Sequence, residues 1–95
     1  MKHAHWLLIY DISEPGRLRN VEKIASRYGV RVQRSVFESD ANESMINNLQ
    51  RRIESIIERN DSFIIIPLCE RDWQKAEKYG TLNLNDFITN DYEII

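Results

Sequence analysis

A chain of 95 residues, 42% hydrophobic and 29% charged with three Gly and two Pro, fits neither a fibrous nor a disordered class and allows one small packed domain. A domain of this size buries only roughly 60 to 65% of the surface its unfolded form exposes, so its stability is expected to lean on a partner. The net charge of −2 argues weakly against a general affinity for nucleic acid, and the single cysteine, Cys69, excludes an intrachain disulfide and a multi-cysteine zinc site and points to a reducing, cytoplasmic setting.

The chain opens with Met1 to His5 and an apolar run of only Trp6 to Ile9, too short for a bilayer and lacking a small-residue cleavage site, so no membrane is expected. Ala4 to Ile12 reads as a strand covered on both faces, because its apolar residues leave no polar helical gaps. Ser13 is a suitable N-cap and Pro15 suits a first helical turn. Leu18, Val21, Ala25 and Tyr28 then recur at helical spacing before Gly29, which predicts a helix over 14–28. Val30 to Phe37 alternates with period two and predicts a second strand, with Phe37 to Ser39 as a short hairpin arm. Asp40 and Glu43 resemble a capping box, and Ile46, Leu49, Ile53 and Ile56 carry a helix toward Arg59. Ser62 to Leu68 is a β-branched, buried strand after the Asn60-Asp61 turn, with Pro67 marking its end or an edge. Trp73 to Tyr79 is a poorly patterned fourth strand closed by Gly80, and the apolar tail Tyr92 to Ile95 is expected to add to a sheet edge.

This order predicts an α+β class, ferredoxin-like βαββαβ with an additional C-terminal strand: an antiparallel sheet with its helices on one face. The doubly apolar first and third strands predict that the other face is buried too, which a homodimer packing sheet on sheet accomplishes with one chain. No repeats or linkers interrupt the sequence, so residues 1–95 are expected to form a single domain.

Charge is uneven. Between Pro15 and Phe37 stand six basic residues, Arg17, Arg19, Lys23, Arg27, Arg31 and Arg34, against one acid, Glu22; that local +5 leaves −7 for the rest. Such a segment can draw phosphates to one side of the molecule, and the alternative is a solvated helix face. The lone acid at the end of the first strand, Asp11, is either a partner for the amides of the following helix or a carboxylate available to a cation. His3 and His5 have a metal-compatible spacing but read as solvated terminal residues, Trp6 and Trp73 read as packing, and Cys69 as a small buried hydrophobe.

Three stretches carry a resemblance: Tyr10-Asp11-Ile12-Ser13, then Arg17-Leu18-Arg19, then Tyr28-Gly29-Val30-Arg31-Val32-Gln33-Arg34-Ser35-Val36-Phe37-Glu38. In that order and spacing, and continuing through Ile64-Ile65-Ile66-Pro67-Leu68-Cys69, they are similar to the Cas-two family, the smaller of the two CRISPR proteins that acquire new spacers. The resemblance implies a homodimer whose C-terminal strand adds to the partner's sheet, with Phe37, Tyr92, Ile94 and Ile95 as dimer-interface or packing residues. It implies binding of double-stranded DNA beside the Cas-one integrase, or cleavage of single-stranded RNA or DNA as a metal-dependent endonuclease. By the same resemblance Asp11 is the catalytic and Mg²⁺-binding residue, and Arg17, Arg19 and Arg31 contact nucleic acid. The poorly patterned region from Glu70 to Asp91 departs from the family's pattern. Two further readings stay open beside the nuclease: a non-catalytic DNA-binding scaffold for the integrase, and a ferredoxin-like regulatory or RNA-binding module. Against the last stands the lack of a Lys/Arg-Gly-Phe/Tyr motif.

Overall fold

The computed structural model describes residues 5–68 and the backbone strand Glu93–Ile94. Its elements are β1 (His5–Asp11), α1 (Pro15–Ala25), β2 (Val30–Gln33), β3 (Val36–Ser39), α2 (Glu43–Glu54), β4 (Ser62–Leu68) and β5 (Glu93–Ile94). The sheet has the order β2-β3-β1-β4-β5, with every neighbouring pair antiparallel. The expected ferredoxin-like α+β architecture is present, and β1 lies at its centre.

The elements differ from expectation at their ends. The side chain that caps α1 belongs to Glu14 and not to Ser13: its carboxylate accepts from the Gly16 and Arg17 amides at 2.8 and 2.6 Å. The helix stops at Ala25, and the next residues close tighter turns through Arg27 N–H to Ile24 O and Tyr28 N–H to Ala25 O. Gly29 is needed for close approach, since a Cβ there would sit 2.1 Å from the Glu38 carbonyl oxygen on β3. Val30 to Phe37 is not one strand but the first part of a hairpin. Ser35 adopts φ 66° and the chain reverses over Arg34-Ser35, so that Gln33 pairs with Val36 and Arg31 with Phe37. The alternation of apolar residues runs straight through this turn, and no Gly or Asn marks it, which is why the sequence reads as unbroken. For α2 the cap is Asn42, accepting from Met45 N–H at 2.9 Å, in place of Asp40, and the helix ends at Glu54, before Arg59. Ser62 to Leu68 forms the strand as expected. The proposed strand over Trp73 to Tyr79 lies outside the described residues.

Side chains alternate across the sheet. One face carries Trp6, Leu8, Tyr10, Phe37, Phe63 and Ile65, and the helices cover it with Val21, Ala25, Ile46, Leu49 and Ile53. Tyr10 is central here: its ring lies 6.1 Å from both the Phe63 and the Phe37 rings. The polar atoms at this face's far end are satisfied by Trp6 Nε1 donating to Ala41 O at 2.7 Å and Ser39 Oγ donating to Tyr28 O at 2.5 Å. Phe37 is thus a core residue of the helix-covered face. On the opposite face Leu7, Ile66 and Leu68 are buried within one chain, while Ile9, Val36 and Ile64 are only partly buried. The C-terminal tail adds to a sheet edge through Ile94 opposite Ile64 and Glu93 opposite Ile65, and that edge is β4 of the same chain. Tyr92 and Ile95 lie outside the described residues. Among the described residues no helix is long and apolar enough to cross a membrane.

Candidate metal and nucleic-acid site

Asp11 is the last residue of β1 and pairs with Ser62, the first of β4. It follows Leu7 and Ile9 on the face away from the helices, where the partly buried Ile9, Val36 and Ile64 give way to solvent. Its carboxylate is exposed and makes no hydrogen bond or ion pair among the described residues. The amides at the start of α1, which offered a local partner for Asp11, are taken by Glu14, and they hold the Glu14 carboxyl below its ordinary range. The structure therefore leaves Asp11 available to a ligand. The hairpin turn lies alongside, since Tyr10 N–H donates to Ser35 O at 3.1 Å.

Two polar clasps hold the frame around this strand end. The first is centred on Asp61, whose side chain is completely buried. It accepts from Arg17 Nε at 2.8 Å and Nη2 at 3.4 Å, and from Glu58 N–H at 2.9 Å. The Arg17 hydrogen bond, reinforced by the Glu58 amide, lowers the Asp61 carboxyl below its ordinary range, and Asp61 in turn raises Arg17. Arg17 Nη1 reaches the exposed Glu58 carboxylate at 3.0 Å as well, a solvent-screened contact that adds little. One buried charge thus ties the first turn of α1 to the turn that precedes Ser62.

The second clasp lies on the helix side. Tyr10 donates to Glu22 Oε2 at 2.6 Å, Arg31 pairs with the same carboxylate, and the Arg31 guanidinium stands 5.5 Å from the Phe37 ring centre. Burial, then the Glu22 hydrogen bond and charge, push the Tyr10 phenol up to about 12. Of the three arginines expected to meet nucleic acid, Arg17 and Arg31 are placed against internal carboxylates, and Arg19 is exposed on α1. Sequence reasoning missed Asp61, read only as part of a turn, and Glu22. The signal for Glu22 was present: it is the one acid in a segment with six basic residues.

Among the described residues no group of three or more His, Cys, Asp or Glu side chains is arranged to hold a metal. A hard cation such as Mg²⁺ takes oxygen ligands, keeps several waters, and is commonly held by one or two carboxylates. An exposed, unpartnered Asp11 fits that requirement as one ligand per chain.

An antiparallel ferredoxin-like sheet with an unpartnered carboxylate at the end of its central strand defines a small α+β protein whose site is assembled at a strand end. The family model described as CRISPR associated protein Cas2 matches residues 4–76, and the chain belongs to that family. The CRISPR-associated endoribonuclease Cas2 1 of Moorella thermoacetica is 38% identical over 87 residues, spanning 85% of this chain and 91% of that protein. The CRISPR-associated endonuclease Cas2 of Halalkalibacterium halodurans is 35% identical over 80 residues, spanning 78% and 83%. The crystal structure of Streptococcus pyogenes Cas2 at pH 6.5 superimposes with a TM-score of 0.68 at 33% identity, covering 83% of this chain and 99% of that one.

Proposed function

We propose that this chain is a metal-dependent endonuclease of CRISPR adaptation that acts as a homodimer, with Asp11 of each copy holding a shared Mg²⁺. The observation that carries the reading is the exposed Asp11 carboxylate, left without a protein partner beside the partly open apolar strip Ile9, Val36 and Ile64. A second copy covering that strip brings a second Asp11 to the first, which supplies the two carboxylates a single chain lacks. Relatives named as an endoribonuclease and as an endonuclease support phosphodiester cleavage as the reaction. Mg²⁺ supplies an activated water and neutralises charge developing on the phosphoryl oxygens. The contribution of the chain's own residues is positional: Asp11 orients the cation, the Asp61 clasp holds the start of α1 through Arg17, and the Ser35 turn bounds the site.

The test is cleavage of labelled single-stranded RNA and duplex DNA by the purified protein. Wild type should cut with Mg²⁺ and stop with EDTA, and Asp11→Asn should lose cleavage by about 100-fold or more. Equal cleavage by wild type and variant would overturn the reading.

A second reading is favoured by the lack of a metal-ligating cluster among the described residues: a non-catalytic dimer that holds duplex DNA for the Cas-one integrase. In that case Asp11→Asn supports spacer capture as well as wild type does, and neither protein cleaves.

A further inference from the structure

Asp11 makes no hydrogen bond or ion pair of its own among the described residues, so its place is set by the backbone that carries it. That backbone lies at the margin of its ladders. The pairing of β1 with β3 ends at Ile9 opposite Val36, and one residue further on the strand is tied to the hairpin turn by Tyr10 N–H donating to Ser35 O at 3.1 Å. On the other side, Asp11 opposite Ser62 is the last pair of the ladder with β4. Beyond these backbone ties stands the side chain of Tyr10, which points away from Asp11 into the helix layer.

Tyr10 is fixed there along its whole length. Its ring packs against Phe37 and Phe63, its hydroxyl donates to Glu22 Oε2 at 2.6 Å, and Arg31 Nη2 stands 3.4 Å from the same hydroxyl. Arg31 also pairs with Glu22 Oε2, so one carboxylate oxygen on α1 gathers a phenol from β1 and a guanidinium from β2. The ion pair is half exposed on the arginine side, and solvent screening leaves it little weight by itself. The phenol bond is the tighter constraint, being short and made to a charged acceptor. With the phenol pushed up to about 12 by burial and then by Glu22, its proton stays in that bond throughout the neutral range.

We infer that Glu22 is a positioning residue for the cation site: through the Tyr10 hydroxyl it pins the end of β1 to α1 and so fixes where the Asp11 carboxylate stands. Resting on the metal-dependent reading above, this assignment adds to it a residue on the opposite face of the sheet. A metal ligand at a strand end needs its backbone held closely, since a misplacement of about 1 Å can cost on the order of 100-fold in rate. Asp11 has no side-chain partner to supply that hold. Glu22 supplies it one residue earlier, from the helix side.

The test compares full-length wild type with Glu22→Leu, which removes the acceptor at nearly the same size, Glu22→Gln, which keeps an oxygen for the phenol, and Tyr10→Phe, which keeps the ring and removes the hydroxyl. Circular dichroism melts confirm that each folds. In metal-free buffer the Tyr10 amide should exchange with solvent about 10-fold faster in E22L and Y10F than in wild type, while amides at the middle of β1 and β4 keep their rates. With Mg²⁺, E22L and Y10F should each lose about 10- to 100-fold in kcat on whichever labelled substrate wild type cuts, single-stranded RNA or duplex DNA. KM should rise in neither, and more Mg²⁺ should be needed for the half-maximal rate. The double variant Y10F/E22L should lose no more than E22L alone, because both changes break one bond, and E22Q should restore most of the rate. Wild-type kcat or wild-type Tyr10 exchange in E22L overturns the inference and leaves the Asp11 reading standing, as does a double variant whose loss is the product of the two single losses. A wild type that does not cleave, or cleavage that persists in Asp11→Asn, overturns both.

Discussion

The two faces of the sheet are built from the same strands and end in opposite conditions. On the helix side the large apolar side chains of β1, β3 and β4 are buried, and the polar groups that enter the layer, Tyr10, Ser39 and the Trp6 indole, are matched to acceptors. On the other side the buried residues Leu7, Ile66 and Leu68 pass into the partly open Ile9, Val36 and Ile64, and then into Asp11, which has no partner. Burial and pairing on one face secure the domain. Their lack at one end of the other face is what leaves the Asp11 carboxylate exposed.

The comparison is broken most severely at the centre of the closed face. Phe63→Ala removes a fully buried ring that stacks on Tyr10 and should cost about 3–5 kcal/mol in urea unfolding. A loss under about 1 kcal/mol would mean the helix layer is not the main source of stability. Next comes the Asp61 clasp, where Asp61→Ala leaves Arg17 and the Glu58 amide without their acceptor and should lower the melting temperature by several degrees. Its pH dependence has a definite sign. The lowered Asp61 carboxyl contributes stability that is complete above its ordinary value of 3.8 and is lost as the pH falls through the folded value. Melts of wild type and Asp61→Asn should therefore converge on acidification from neutrality, and parallel curves would remove the clasp from the acid limb.

On the open face, Ile64→Ala should cost only about 1–2 kcal/mol in dilute solution, because the side chain is only partly buried there. Its larger effect should appear in analytical ultracentrifugation, where the variant dissociates at concentrations that keep wild type dimeric; identical profiles would remove Ile64 from the dimer contact. The smallest effect on folding is expected at the strand end itself. Asp11→Asn should shift unfolding by no more than about 0.5 kcal/mol, since no contact is lost, even where cleavage is abolished. A strongly destabilised variant would show that Asp11 has a structural partner.

Much of the scaffold was legible from local pattern. The strand over Ser62 to Leu68, the first strand and both helices follow from β-branched runs and from apolar spacing of three and four, signals that depend on near neighbours. The hairpin turn at Arg34-Ser35 was not legible, because a serine at φ 66° carries no turn signature and the alternation of residues is the same before and after the reversal. Capping was misread as well: Ser13 is the stronger N-cap by type, but the Gly16 and Arg17 amides donate to the Glu14 carboxylate.

The sequence by itself determined the order of elements, the α+β class, the candidacy of Asp11 and the basic bias of the segment from Pro15 to Phe37. Only the tertiary structure decided which charges in that segment are neutralised inside and which remain outside. Pairing Arg17 with Asp61 requires bringing together residues 44 positions apart, and pairing Arg31 with Glu22 requires folding β2 back against α1. Neither distance is encoded in local spacing, because an ion pair is set by proximity in space, whereas periodicity records only which side of an element a residue occupies.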